Sequence, residues 1–436
     1  HETDPETAKQ PWNGIIFQVS LNRDSGPALV QSVGAIKADA ARTLFSISCR
    51  NVGWAVLDSG IDETHRAFWD YEQIFKDQAG GIAPDPAKRP HRIKATYDFR
   101  RIREIMSVDP IDHEDLVKEI AARTDLDRTF IRDRLAELAQ DRKEGKRVNW
   151  ARVRRLIEHT KPDPPPHPHG THVAGIIGAH WLDFKRRAEP NPSDSVKMDG
   201  VCPDIMLYDF RVLGSTSRDS EFLVIAALQF IRFLNDQSGY SRIHGVNMSL
   251  SIPHNVRNYA CGRTPVCVEA EAVAANGVVV VAAAGNRGFQ QYRLADNSLF
   301  ESYAASSITD PGNAEGVITV GATHRHWPHT YGVSFFSSRG PTGDGRSKPD
   351  LLAPGEKITS CVPGAGGTRS DQMDGTSMAA PHVSGAAALL MARHDELKGQ
   401  PARIKKILCE TATDLNRERS FQGYGMVDVL RAIQSI

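Results

Sequence analysis

Six short apolar runs constrain this chain more than anything else in it. They are residues 52–58, 93–99, 205–212, 245–250, 278–284 and 317–321, each bounded by turn-forming residues. The run Val278-Val279-Val280-Val281-Ala282-Ala283-Ala284 has no polar face. As a strand it must be covered on both sides. Helical periodicity fills the intervals. Within residues 219–236, Phe222, Leu223, Ala226, Ala227, Phe230, Ile231 and Leu234 form one stripe at 3.6-residue spacing. Residues 268–276 read as a second helix, stopped by Gly277. Residues 376–393 are small and apolar all round through Ala386-Ala387-Ala388-Leu389-Leu390, which implies a buried helix. Residues 425–436 close the chain as a helix with Met426, Val427, Leu430 and Ile433. Alternating strands and helices predict an α/β fold, a mostly parallel sheet with helices on both faces.

Composition narrows the function classes. Lys+Arg and Asp+Glu both number 53 in 436 residues, so the formal net charge is zero. That excludes a polybasic nucleic-acid binder over the whole chain. No apolar run is long enough to span a bilayer. The chain opens on His1-Glu2-Thr3-Asp4 without an initiator Met or an apolar leader, as a processed form or fragment would. Six cysteines without a C-x-x-C suggest neither a disulfide scaffold nor a zinc ribbon. Cys261 and Cys267 are close enough in sequence for a bridge, and two free thiols fit equally well.

One block breaks the rhythm. Residues 111–161 are highly charged and read as three short helices. The first starts at the Asp112 cap and carries Leu116, Val117 and Ile120. The second starts at Thr124, with Asp127 three residues on, and carries Phe130, Ile131, Leu135 and Leu138 up to Gly145. The third starts at Asn149 and carries Trp150, Val153 and Ile157. Pro162-Asp163-Pro164-Pro165-Pro166 follows as a stiff extended linker. The expected organisation is an N-terminal extension over 1–50 and one α/β domain over 51–436, with 111–161 inserted in it. Residues 14–21 suggest a further strand. Arg142, Lys143, Lys146, Arg147, Arg152, Arg154 and Arg155 face only Glu144. A solvated helical surface explains them best, and no aromatic interleaving supports a nucleic-acid site.

Three segments fall where an open α/β sheet places its ligands, at strand ends and helix starts. The first is Ala55-Val56-Leu57-Asp58-Ser59-Gly60-Ile61-Asp62. The second is His167-Pro168-His169-Gly170-Thr171-His172-Val173-Ala174-Gly175. The third is Asp374-Gly375-Thr376-Ser377-Met378-Ala379-Ala380-Pro381-His382. Alone, each has a bland reading: a turn Asp, an N-cap Ser, a core His. The three histidines fit no common zinc spacing. Together they hold what hydroxyl nucleophilic catalysis needs. A serine requires a base for its proton, and imidazole requires a carboxylate to fix its tautomer.

The chain order Asp58, His169, Ser377 resembles that of the subtilisin-like serine peptidases, the subtilases of peptidase family S8. The likeness spans residues 56–60, 169–175 and 375–385, and continues through 199–201, 207–214, 246–250, 278–286 and 336–355. It implies a subtilisin-like three-layer fold and a serine endopeptidase. Ser377 would be the acylated nucleophile, His169 the general base and then acid, and Asp58 its orienting carboxylate. Asn286 matches the oxyanion-hole asparagine. Arg211, Leu213 and Gly214 on one side, and Ser249, Leu250 and Ser251 on the other, would pair with an extended peptide. Arg287 would stand at the pocket rim and favour acidic residues there. The chemistry needs no cofactor or metal. A structural Ca²⁺ fits the resemblance without identified ligands. Protein or peptide substrates and a secreted setting are implied.

Departures from compact subtilisins set further expectations. The long gap between Asp58 and His169 makes residues 111–161 a candidate lid or partner-docking element, and hence suggests a restricted-specificity processing protease. Ser251 and Ile252 stand where compact members have a Gly-Gly pair. Residues 288–307 look longer than in compact members. A binding module with a vestigial site is the reading from another class, and the complete set Asp58, His169, Asn286 and Ser377 argues against it.

Overall fold

Five of the six apolar runs become interior strands of one sheet, and the run 93–99 forms an edge strand. In this computed structural model, residues 28–79, 90–108, 114–161, 163–181, 199–214, 220–239 and 241–436 are described. The expected strand at 14–21, the Asp112 cap and Pro162 lie outside them. The strands are β1 Gly53–Asp58, β2 Ile93–Asp98, β3 Met206–Arg211, β4 Gly245–Met248, β5 Val279–Ala283, β6 Phe289–Arg293, β7 Leu299–Tyr303, β8 Ile318–His324 and β9 Leu351–Glu356, with β10 Ile358–Cys361 and β11 Ser370–Met373 as a small antiparallel pair. The main sheet runs β2-β3-β1-β4-β5-β8-β9. All its pairings are parallel. β9 lies outside the apolar runs because it carries Pro354 and Gly355; it sits at the sheet edge, where a strand tolerates proline. β6 and β7 form a separate antiparallel hairpin within residues 288–307.

Each run is covered on both faces. On β1, Trp54 and Val56 join one core and Ala55 and Leu57 the other; on β5, Val279, Val281 and Ala283 oppose Val280 and Ala282. The first face carries the helices His169–Gly178 and Thr376–Arg393. Small residues let the second of these approach closely. A Cβ on Gly385 would lie 2.4 Å from Val201 Cβ.

The opposite face carries Ser220–Ser238, Pro265–Ala275 and the three insertion helices Glu114–Arg123, Arg128–Lys143 and Trp150–Ile157. Phe230 is the hub, with ring centroids 4.9 Å from Tyr97, 5.7 Å from Phe99 and 5.6 Å from Trp150. Leu116, Ile120, Ile131, Val153, Leu156 and Ile157 are fully buried in the same core. At about 1.5–3 kcal/mol each, six such side chains rival a domain's whole net stability of about 5–15 kcal/mol. The insertion is thus a structural layer on the face away from His169 and Ser377.

Local chemistry corrects some boundaries. The second insertion helix is capped by Asp127, which accepts from Thr129 N–H at 2.8 Å; Thr124 instead donates to the Ile120 carbonyl and closes the helix before it. Asn149 caps the third by accepting from Arg152 N–H. The last helix is only Val429–Gln434, capped by Asp428, so Met426 and Val427 precede it. Part of the basic cluster is neutralised in place. Lys146 and Arg152 pair with Asp141, Arg154 pairs with Glu158, and Arg155 stacks over Phe130.

Candidate active site

The chain runs from β1 out to the edge at β2, returns through β3, then crosses to the other side through β4, β5, β8 and β9. That reversal opens a crevice at the carboxyl ends of β1 and β4. Asp58 is the last residue of β1, Ser249 follows β4, and Asn286 lies just beyond β5.

Asp58 is buried, with 1% of its surface exposed. Its Oδ1 accepts from Ser59 N–H at 2.7 Å and from His169 Nδ1 at 2.8 Å; Oδ2 lies 2.9 Å from the same nitrogen. His169 opens its helix directly against this turn. A Cβ on Gly170 would lie 2.5 Å from the Gly60 carbonyl, so only glycine permits the approach. Gly170 N–H donates to Ser59 Oγ, which in turn donates to the His167 carbonyl. Burial of the His169 ring pulls its pKa down. The Asp58 charge and hydrogen bond more than offset this, holding it above the ordinary histidine value.

Ser377 is the second residue of Thr376–Arg393. Pro381, four residues on, has no N–H to give the Ser377 carbonyl. Ser249 Oγ supplies that hydrogen bond at 2.7 Å, while Ser377 Oγ donates to the Ser249 carbonyl at 3.2 Å. Ser249 Oγ also accepts from Asn247 Nδ2, and Asn247 Oδ1 accepts from Ser384 Oγ, each at 2.9 Å. Asn286 Oδ1 accepts from Thr376 N–H at 2.9 Å and Thr376 Oγ1 at 3.0 Å. With its oxygen held twice, the amide presents Nδ2 as a donor. Nδ2 and Ser377 N lie 3.2 and 3.6 Å from the Cβ position of Gly375, so both flank one small space.

Residues 50–427 match the sequence profile of the subtilase family. The chain belongs to the subtilase family. Among relatives, this subtilase is 31% identical to pyrolysin of Pyrococcus furiosus over 61% of its own length and 21% of that protein's. It is 30% identical to subtilisin DY of Bacillus licheniformis, over 61% and 77%, and 31% identical to subtilisin E of Bacillus subtilis, over 61% and 56%. It therefore spans about a fifth of pyrolysin and between half and four fifths of these subtilisins. The solved CspB protease of Clostridium perfringens shares its fold, with a TM-score of 0.62 at 19% identity over 92% of this chain and 98% of that one.

The expected peptide-binding walls divide. Arg211 is committed to the fold. Its carbonyl accepts from Phe99 N–H, and its guanidinium binds Asp209 and Asp163. Both its side chain and its carbonyl are therefore engaged within the fold. Leu213 N–H donates to the Asp58 carbonyl, which leaves the half-buried Leu213 carbonyl and the exposed Gly214 toward the cleft. Ser249 and Leu250 are buried; Ser251 is exposed overall but turns its hydroxyl inward to Thr309. Arg287 is exposed and lines a hollow of about 200 Å³ with Pro253, His254, Val256 and Thr309; neither Ser377 nor Asn286 lines it.

Cys261 and Cys267 are both free thiols. Among the described residues, no group of three or more His, Cys, Asp or Glu is placed to hold a metal ion. The calcium expectation gains no ligand set from them, and no step below is routed through it. Sequence reasoning missed Thr376, Asn247, Ser384 and Thr309. Asn247 had a signal, an amide inside an apolar strand run. Pro381 had another, a proline inside a helix.

Proposed function

We propose that this subtilase is a serine endopeptidase working through an acyl-enzyme on Ser377. The observation that carries the reading is the grip of both Asp58 oxygens on His169 Nδ1. It keeps the proton on Nδ1 and leaves Nε2 as the base. In catalysis Ser377 Oγ leaves the Ser249 carbonyl, gives its proton to Nε2 and attacks the scissile carbonyl carbon. The oxygen, now anionic, is received by Asn286 Nδ2 and Ser377 N–H, aided by the positive end of the Ser377 helix. His169 then returns the proton to the leaving amine. Water repeats the sequence in reverse to free Ser377. The steps draw on side chains, the Ser377 backbone N–H and water.

An extended peptide adds as a strand between the Leu213–Gly214 segment and residues 249–251. Protein or peptide substrates and an extracellular setting belong to the same proposal. Among the described residues no helix is long and apolar enough to cross a membrane.

Gating by the insertion is the second reading, together with a protein partner docked on it. One linkage favours it. Asp163, in the segment returning from the insertion, binds Arg211, and Arg100 Cγ lies 4.0 Å from the Cβ position of Gly214. The insertion therefore borders the cleft through its return segment, while its helices sit on the far face.

The test is labelling of the purified chain by a fluorophosphonate probe beside Ser377→Ala. The wild type labels and the variant does not. A folded wild type that takes no label sinks the endopeptidase reading.

A further inference from the structure

Ser251 and Thr309 join hydroxyls across the crevice that receives the residue on the acyl side of the scissile bond. We infer that this closes the pocket to all but small side chains. The inference rests on the endopeptidase reading and names the substrate class of that site.

The crevice follows from the reaction geometry. The attacked carbon must lie within reach of Ser377 Oγ, with its oxygen between Ser377 N and Asn286 Nδ2. Ser377 Oγ touches the Ser249 carbonyl on one side, and Asn286 stands on the other. The side chain of that substrate residue thus enters between residues 249–252 and 284–287. These segments continue β4 and β5, which last pair at Met248 and Ala282. Beyond that pair the two backbones part.

Residues 309–310 cross beneath the opening and are bonded to both walls. Thr309 N–H donates to the Ala284 carbonyl at 3.0 Å. Ile252 N–H donates to the Asp310 carbonyl at 3.0 Å, and Asp310 N–H to the Ile252 carbonyl at 2.8 Å. Above this floor the hydroxyls run from wall to wall. Ser251 Oγ donates to Thr309 Oγ1 at 2.9 Å, and Thr309 Oγ1 donates to the Ala284 carbonyl at 3.2 Å. Thr309 is 2% exposed. Its Oγ1 is only 2.6 Å from the Cβ position of Gly285, so it presses on the wall next to Asn286.

A methyl or hydroxymethyl group fits above such a floor. A longer side chain must part the two hydroxyls, which costs the buried Thr309 Oγ1 the donor it has in Ser251. Arg287 offers no way round, because the hollow it lines excludes the catalytic residues.

The test is a library of internally quenched peptides varied at that one position. Each enzyme is first titrated with the fluorophosphonate probe, so rates refer to competent Ser377. The wild type cuts after Gly, Ala and Ser at least about 10-fold better, in kcat/KM, than after Leu, Phe or Glu. Ser251→Gly with Thr309→Ala raises Leu and Phe by about 10–200-fold relative to Ala. Ser251→Gly alone, at an exposed residue, moves the profile the same way by less and stands in if the double variant misfolds. A wild type that labels yet prefers Leu, Phe or Glu overturns the inference while the endopeptidase reading stands. So does an unchanged profile in Ser251→Gly. A folded wild type that fails to label overturns both.

Discussion

The helix bearing Ser377 and the helices of the insertion cover opposite faces of one sheet with opposite materials. Thr376–Arg393 is buried along most of its length and has no charged side chain before its last residue. Its alanines bring its backbone close to the strands, and Gly385 brings it against Val201. The insertion helices bury one stripe each and lace the outer surface with ion pairs. Arg132 holds Glu114, Arg134 holds Glu137, and Arg152 holds Asp141. Surface pairs of this kind contribute little each, so the stripes hold the layer in place. The difference separates two tasks. In the proposed mechanism one face fixes the reacting atoms, where a methyl group too many displaces a backbone. The other supplies bulk, where many sequences serve.

Substitutions on the two faces should therefore fail in different ways. The largest effect is expected from Asp58→Asn. It leaves His169 in the wrong tautomer and lowers kcat on a peptide by on the order of 10⁴-fold, with the melting temperature nearly unchanged. A loss under 10-fold would break the assignment of Asp58. Asn286→Ala removes one donor and lowers kcat by about 10²–10³-fold with little change in KM. Across the sheet the pattern inverts. Ile131→Ala costs about 2–5 kcal/mol in denaturant unfolding and leaves kcat per folded molecule unchanged. A fall in kcat at unchanged stability would instead make the insertion a gate.

Acid sharpens the comparison within the catalytic face itself. His169 has a pKa raised by Asp58, so kcat/KM falls as pH drops through a value above the ordinary histidine 6.5. His172 and His382, on the same face, are pushed down to about 4, chiefly by burial. Below pH 6.5 the unfolded chain takes up protons at these two positions and the folded chain does not until about pH 4. Folding stability is thus lost as pH falls across that window, by up to about 3 kcal/mol for each histidine. Activity should disappear first and the fold later, which paired rate and unfolding profiles would resolve. Coincident losses would count against the raised His169.

Much of this architecture was legible in residue order. A run without a polar face has one home, the middle of a doubly covered sheet, and the interior strands follow. The Asp, His and Ser segments were legible because each pairs a reactive side chain with a strand end or helix start. Three things were not. A stripe on Glu114–Arg123 says that it is buried but not against which face. Arg211 ends a strand beside the cleft, and only the positions of Asp209 and Asp163 show its side chain turned inward. Thr309 is remote in sequence from Ser251 and Ala284, and nothing local reveals that it joins them. Capping failed for a simpler reason. Thr124 and Asp127 are both good caps, and the chain uses one to end a helix and the other to begin the next.

Pro381 breaks the ladder of its helix one turn after Ser377, and Ser249 takes the carbonyl left open. Ser377 is indexed to β4 rather than to its own helix. Breathing in residues 382–393 reaches Ser377 across a missing rung or by way of Ser384, Asn247 and Ser249, whereas any shift of 245–249 reaches it at once. A search for variants adapted to heat or cold has a natural partition here. The distal half of the helix is free to soften or stiffen, and the strand that meets Ser377 is the ruler by which its position is kept.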